Sequence, residues 1–278
     1  MKRRGDARVI TEAEDFRAES RALAALLEPV EDAAYLKETL FKGWTIDDVL
    51  GHLHQGNLWA YLTLVDPPAY QEALTARRAS LTAGVAMREW TRTWLSGLTG
   101  GSLGEAWAVQ AERTADAYAE ADPKQRVKWS GPDMSARSKV TARLMETWAH
   151  GQEVYDLLGV VRQDGDRIRN IAQIGVMTFG WTFANRGQEP PGPRPAVRLT
   201  APSGALWEWP AAEGSTSDSI SGSASEFCQV VAQTRNIADT ALSVEGPVAT
   251  RWMALAQCFA GKPNDPPAPG TRYTQRAA

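Results

Sequence analysis

Gly51-His52-Leu53-His54 and Glu146-Thr147-Trp148-Ala149-His150 are the stretches on which the reading of this chain turns. The sequence holds three histidines in 278 residues, and all three lie in these two segments. Each segment sits in a run whose apolar spacing predicts a helix. Residues four apart share a helical face, so Glu146 and His150 aim a carboxylate and an imidazole at one point. A histidine from a facing helix would complete a three-ligand set with an open position, as a catalytic divalent metal requires. Glu-x-x-x-His is a loose pattern, and separate core or surface residues would give the same string. His52 and His54 project about 200° apart on a helix, so both cannot reach one metal. The apolar stripe Ile46, Val49, Leu53, Ala60 and Leu64 lies closer to His54 than to His52, and periodicity does not select His52.

Working outward, the first part of the chain reads as helices parted by turn signals. One helix is expected over about residues 9 to 28, stopped by Pro29. The next opens at Thr45, an N-cap, with Asp47 and Asp48 in a first turn where negative charge suits the helix dipole. It runs to about Val65 and ends at Asp66-Pro67-Pro68. Further helices are expected over about 70 to 96, Leu103 to Ala121, Ser135 to Leu158 and Asp166 to Asn185, with a connector at Trp129-Ser130-Gly131-Pro132. Gln188 to Pro195 carries four prolines and reads as a stiff linker. Beyond it, Ala196 to Thr200 and Leu206 to Trp209 read as strands around a Pro202-Ser203-Gly204 turn. Ser215 to Gly222 is polar. Ser223-Ala224-Ser225-Glu226 spells a capping box for a helix to about Arg235. Ala241 to Glu245 reads as a strand, Pro247 starts a last helix stopped by Gly261, and the Pro-rich remainder from Lys262 is expected to fray. The organisation expected is a helical domain over 1–187 and a small α/β domain over 188–278.

Composition narrows the function classes. A net charge of −3 gives no electrostatic case for nucleic-acid binding, and no run approaches the length of a membrane span. The start, Met1 to Asp6, leads into acidic residues rather than an apolar segment, so no secretory signal is expected. Cys228 and Cys258 fall in helical patterns and are expected as reduced, buried small hydrophobes of a cytoplasmic protein. There is no Gly-rich phosphate loop, nucleophile elbow or Cys-x-x-Cys pair.

The segment Trp44-Thr45-Ile46-Asp47-Asp48-Val49-Leu50-Gly51-His52-Leu53 resembles the second-helix signature of the DinB-like, mycothiol-dependent maleylpyruvate isomerase N-terminal domain family. Ala142 to Gln152 resembles the other ligand-bearing helix of that superfamily. Phe227 to Val231, Asp239 to Leu242 and Arg251 to Gln257 resemble the C-terminal half of an actinobacterial subgroup. The resemblance implies a DinB-like four-helix bundle with extra helices, followed by a small α/β domain. It implies a divalent metal, usually zinc, held by His52, Glu146 and His150. It further implies a low-molecular-weight thiol, mycothiol in actinobacteria, that adds to a small electrophilic substrate. An arginine of the C-terminal domain is expected at the thiol's acidic end. Thr234 or Arg235 fills that slot depending on register, and Arg235 is the cofactor-binding candidate.

Glu153, three residues beyond His150 on the same face, is the candidate general base or ligand-orienting carboxylate, or else a solvated helix glutamate. The function expected is a metal-dependent, thiol-linked isomerase or transferase. The rivals are a non-catalytic metal- or small-ligand-binding module and a metal-dependent hydrolase. The expected partners are a small-molecule substrate and the thiol, with neither nucleic acid nor membrane.

Overall fold

Thr45 starts the helix that carries His52, and it does so through a full capping box. Its hydroxyl accepts from the Asp48 amide, while the Asp48 carboxylate accepts from the Thr45 amide at 3.0 Å. The computed structural model describes residues 10–129, 131, 133–214 and 217–275. The start at Met1–Asp6, Ser130 and Pro132 of the connector, and Ser215 lie outside the described residues. The chain forms two compact units, Met1–Val154 and Tyr155–Ala278.

In the first unit the long helices are α1 (Thr11–Leu27), α3 (Ile46–Val65), α6 (Gly100–Glu120) and α7 (Ala136–Leu157), the last crossing into the second unit. Phe16, Leu23, Leu50, Leu53, Trp107 and Trp148 are completely buried between them, as the apolar spacing requires. Three more helices accompany α3: α2 (Asp32–Tyr35), α4 (Pro67–Thr82) and α5 (Met87–Leu95). The single helix expected over 70 to 96 is therefore two. The break falls at Gly84, whose φ of +84° is left-handed and leaves a helix at no steric cost only for glycine. A two-stranded antiparallel ladder, β1 (Arg126–Val127) with β2 (Met134–Ser135), frames the connector before α7.

The second unit opens with α8 (Arg169–Met177) and α9 (Phe179–Ala184), where one helix was expected. They part at Thr178, whose hydroxyl turns back onto the carbonyls of Ile174 and Gly175. The strands are β3 (Ala196–Thr200), β4 (Leu206–Trp209), β5 (Ser219–Ser223) and β6 (Ser243–Glu245), in sheet order β4-β3-β5-β6. β3 pairs antiparallel with β4 and parallel with β5, and β5 pairs antiparallel with β6. β5 runs through the Ser-rich stretch and buries one apolar side chain, Ile220. Helix α10 (Ala224–Val231) lays Phe227, Val230 and Val231 into the core, and α11 (Pro247–Met253) adds Trp252 and Met253.

Four local expectations are corrected here. The Ser223–Glu226 capping box does not form; Glu226 instead accepts from the Ala241 amide at 3.0 Å. Helix α10 stops at Val231, before a left-handed Gln233 at φ +58°, and α11 stops at Met253, ahead of Gly261. The tail beyond Lys262 is fastened, because Gly270 donates to Asp239, and Thr274 and the Gln275 amide donate to Asp156. Cys228 and Cys258 are buried, as expected. No helix among the described residues is long and apolar enough to cross a membrane.

Candidate metal centre

His52 projects from the second turn of α3, and Glu146 and His150 from one face of α7. Three ligand atoms, one from each, lie within 4.8 Å of one another. His52 Nε2 stands 3.1 Å from Glu146 Oε2, and His150 Nε2 stands 3.5 Å from the same oxygen. A tetrahedral site with bonds of about 2.1 Å has ligand-to-ligand edges of about 3.4 Å, so the two separations are short enough for one ion to be shared by the three residues. Two imidazoles and one carboxylate are the borderline donors that zinc accepts, and the set fits a divalent metal.

Aromatic rings fix the two imidazoles. Trp44 stacks on His150 at 5.6 Å with planes 3° apart, and meets His52 edge-on at 5.6 Å. Phe41 closes on His150 from another side, edge-on at 5.3 Å. These rings fix the orientation of the two imidazoles and keep the local dielectric low.

The electrostatics prepare a receptive site. Burial pushes the His52 imidazole below its usual pKa, the Glu146 contact opposing, which favours the neutral ring that a metal ligand must be. Burial would raise Glu146, but the contacts with His150 and His52 overcome it and hold the carboxyl well below the usual range. Glu146 is thus ionised wherever the protein is folded near neutrality.

The other sequence candidates fall as follows. His54 is not in the cluster; it packs against Trp94 at 5.6 Å, and burial alone lowers its pKa. Glu153 is buried, which removes the reading of it as a solvated helix glutamate. Arg235 lies in the second unit, buried, with Nη1 and Nη2 each donating to Asp156 at 2.7 Å. Asp48 does more than cap its helix: buried, it takes a two-pronged contact from Arg92 at 2.7 and 2.8 Å. Asp47 accepts from the Gly100 amide at 2.9 Å and so ties the start of α6 to α3.

A cavity of about 310 Å³ adjoins the cluster, with His52 and Trp44 on its wall. Leu36, Met87 and Leu98 give it apolar sides, and Arg88 and Arg92 add charge. The sequence reading missed this cavity. Its only advance signal was the pair Arg88 and Arg92, one helical turn apart on α5.

The family model of the mycothiol maleylpyruvate isomerase N-terminal domain matches residues 16–155. The chain belongs to this family. An uncharacterised protein of Mycobacterium tuberculosis, in strains CDC 1551 and H37Rv, is 35% identical over 249 residues, covering 90% of this chain and 95% of that protein. A crystal structure of the mycothiol-dependent maleylpyruvate isomerase matches with a TM-score of 0.55 at 18% identity, over 86% of this chain and 94% of that one. A histidine-to-alanine mutant of that enzyme matches with a TM-score of 0.50 at 18% identity, over 79% of this chain and 87% of its own. At that identity the likeness shows the fold, and the expected architecture is met: a DinB-like helical bundle followed by a small α/β unit.

Proposed function

We propose that this chain is a divalent-metal-dependent isomerase or transferase that joins a thiol of the mycothiol type to a small electrophile. The observation that carries the reading is the convergence of His52, Glu146 and His150 from two helices, with one ligand atom of each within 4.8 Å of the others. The activity of the structural relative, mycothiol-dependent maleylpyruvate isomerisation, supplies the reaction class to test first.

When bound, the metal supplies a positive charge that keeps a thiol ionised at neutral pH, where a free thiol of pKa about 8.5 is mostly protonated. The chain's own residues do the rest. His52 and His150 would each hold the ion through a ring nitrogen, and Glu146 contributes the one negative charge that offsets part of a divalent cation. Trp44 and Phe41 exclude water from the side they cover. The cavity beside His52 receives the electrophile against Leu36, Met87 and Leu98. Glu153, buried one turn beyond His150, is the carboxylate assigned to proton transfer.

Arg235 is assigned to the acidic end of the thiol. Both of its terminal nitrogens donate to Asp156, so that role requires the exchange of a buried hydrogen bond. The test combines metal analysis, calorimetry with mycothiol, and an isomerase assay with maleylpyruvate. Stoichiometric zinc with saturable mycothiol binding supports the reading, whereas zinc without thiol affinity refutes its thiol half.

A further inference from the structure

Lys139 and Arg143 project from the face of α7 that also carries Glu146 and His150, on the N-terminal side of these ligands. They are four residues apart, and only 9% and 8% of their surfaces are exposed. Arg143 Nε donates to Asn57 Oδ1 at 3.0 Å and Nη2 to the Leu53 carbonyl at 3.4 Å. Its guanidinium lies flat over Gly56, where an added Cβ would come within 2.6, 2.8 and 2.9 Å of Nη1, Cζ and Nη2. Lys139 Nζ stands 5.7 Å from the ring centre of Trp129. Among the described residues neither cation meets a carboxylate at ion-pair distance. Glu146 acts on both from further away, and it is committed to His52 and His150.

Two like charges one helical turn apart repel, and a buried charge without a counter-charge is costly. Neutral donors in the same place are also unmet. Asn57 Nδ2, on the amide that accepts from Arg143, is buried without an acceptor, and so is Thr147 Oγ1 one turn along α7. Such a collection of donors lacks one thing, an acceptor-only group carrying negative charge. A carboxylate fits: it carries negative charge on two acceptor oxygens, and it donates nothing that would clash with Asn57.

We propose that Lys139 and Arg143 form a buried binding site for a small carboxylate anion, with Asn57 Nδ2 as its neutral donor. The site uses none of the residues assigned to the metal, the thiol or the electrophile cavity. Glu146 is the acid nearest to it, so loading the metal centre makes the two cations more demanding of an anion.

The test is calorimetry on the purified 278-residue chain, metal-free and zinc-loaded, titrated with acetate and with succinate against sodium chloride at constant ionic strength. Saturable binding of at least one carboxylate is expected, weakened at least about tenfold in Lys139→Met, the loss for one charge-assisted hydrogen bond. Arg21→Met, on the exposed side of α1, should bind as the wild type does. A second measurement needs no variant: the carbon-13 signal of the Lys139 ε-methylene in the wild-type chain should shift on titration. No saturable binding, an unmoved Lys139 signal, or equal affinity in Lys139→Met would each overturn the proposal. Binding is read without thiol, electrophile or turnover, so such a failure would leave the reading of the metal centre standing.

Discussion

Replacing Arg235 by alanine separates two roles for this arginine. Its Nη1 and Nη2 donate to the two oxygens of Asp156, each at 2.7 Å, and the side chains are 10% and 1% exposed. Asp156 also anchors the tail, taking the Thr274 hydroxyl on its carboxylate at 3.1 Å and the Gln275 amide on its carbonyl at 2.8 Å. Removing one partner of a buried ion pair costs about 3–5 kcal/mol, because the charge left behind loses its compensation. A domain of this size loses roughly 4 °C of melting temperature per kcal/mol, so Arg235→Ala should melt about 12–20 °C lower. Differential scanning calorimetry reads this directly. Arg235→Lys should fall between the two, keeping the charge but not the two-pronged geometry. A melting temperature within about 3 °C of wild type would refute the reasoning, showing that the pair carries little of the second unit's stability. Weaker mycothiol binding in that unperturbed variant would then assign the arginine to the cofactor.

Four further outcomes are expected. His150→Ala should lose its zinc by elemental analysis while His54→Ala keeps it; retention by the first or loss by the second would break the ligand assignment. Glu153→Gln should keep zinc and lose maleylpyruvate turnover, and unchanged turnover would remove Glu153 from the chemistry. Gly56→Ala should cost about 1–3 kcal/mol in denaturant unfolding, since its methyl would land 2.6 Å from Arg143 Nη1. Burial and the Arg143 charge push the Lys139 ammonium from 10.5 down to about 8. Below pH 8 the lysine is charged in both states and the folded protein bears a penalty of about 3 kcal/mol. As pH rises from 8 to 10.5 the folded state releases its proton first and that penalty fades. Lys139→Met should therefore be the more stable protein at pH 7 in carboxylate-free buffer, with the advantage gone by about pH 10.5; an advantage that persists there would refute the cause.

The helices were legible where pattern and punctuation agreed. Thr45 with its following aspartates, and the Asp66-Pro67 stop, mark α3 because capping and proline chemistry act within a few residues. Breaks within helices were harder to see. Gly84 and Thr178 interrupt segments whose apolar spacing runs on unbroken, and a glycine or threonine inside such a run is usually tolerated. β5 was hidden for a different reason. Its residues Ser219 to Ser223 have almost no hydrophobic signal, and the strand exists because β3 and β6 hydrogen-bond to it on both sides. The fastening of the tail was equally invisible, since its partners Asp156 and Asp239 lie far back in the sequence.

The cluster of His52, Glu146 and His150 shows the same divide between local and distant causes. Glu146 and His150 could be paired from spacing alone, because a helix brings residues four apart together wherever it forms. His52 could not, and the apolar stripe of α3 pointed toward His54. In the fold, the buried face of α3 is not uniformly apolar. Gln55 and Asn57 are buried along with Leu53, and Asn57 faces the Arg143 guanidinium. The side of α3 that meets α7 is thus a polar seam, and His52 is the member of that seam opposite Glu146. A periodicity that scores polar residues as outward must misplace this side, because the partners that make its burial tolerable belong to another helix nearly a hundred residues away. Lys139, Arg143, Glu146 and His150 of α7 form the other half of the seam. Their regular spacing was present in the sequence throughout, but a stripe of charged residues acquires chemical meaning only once it is known to face inward.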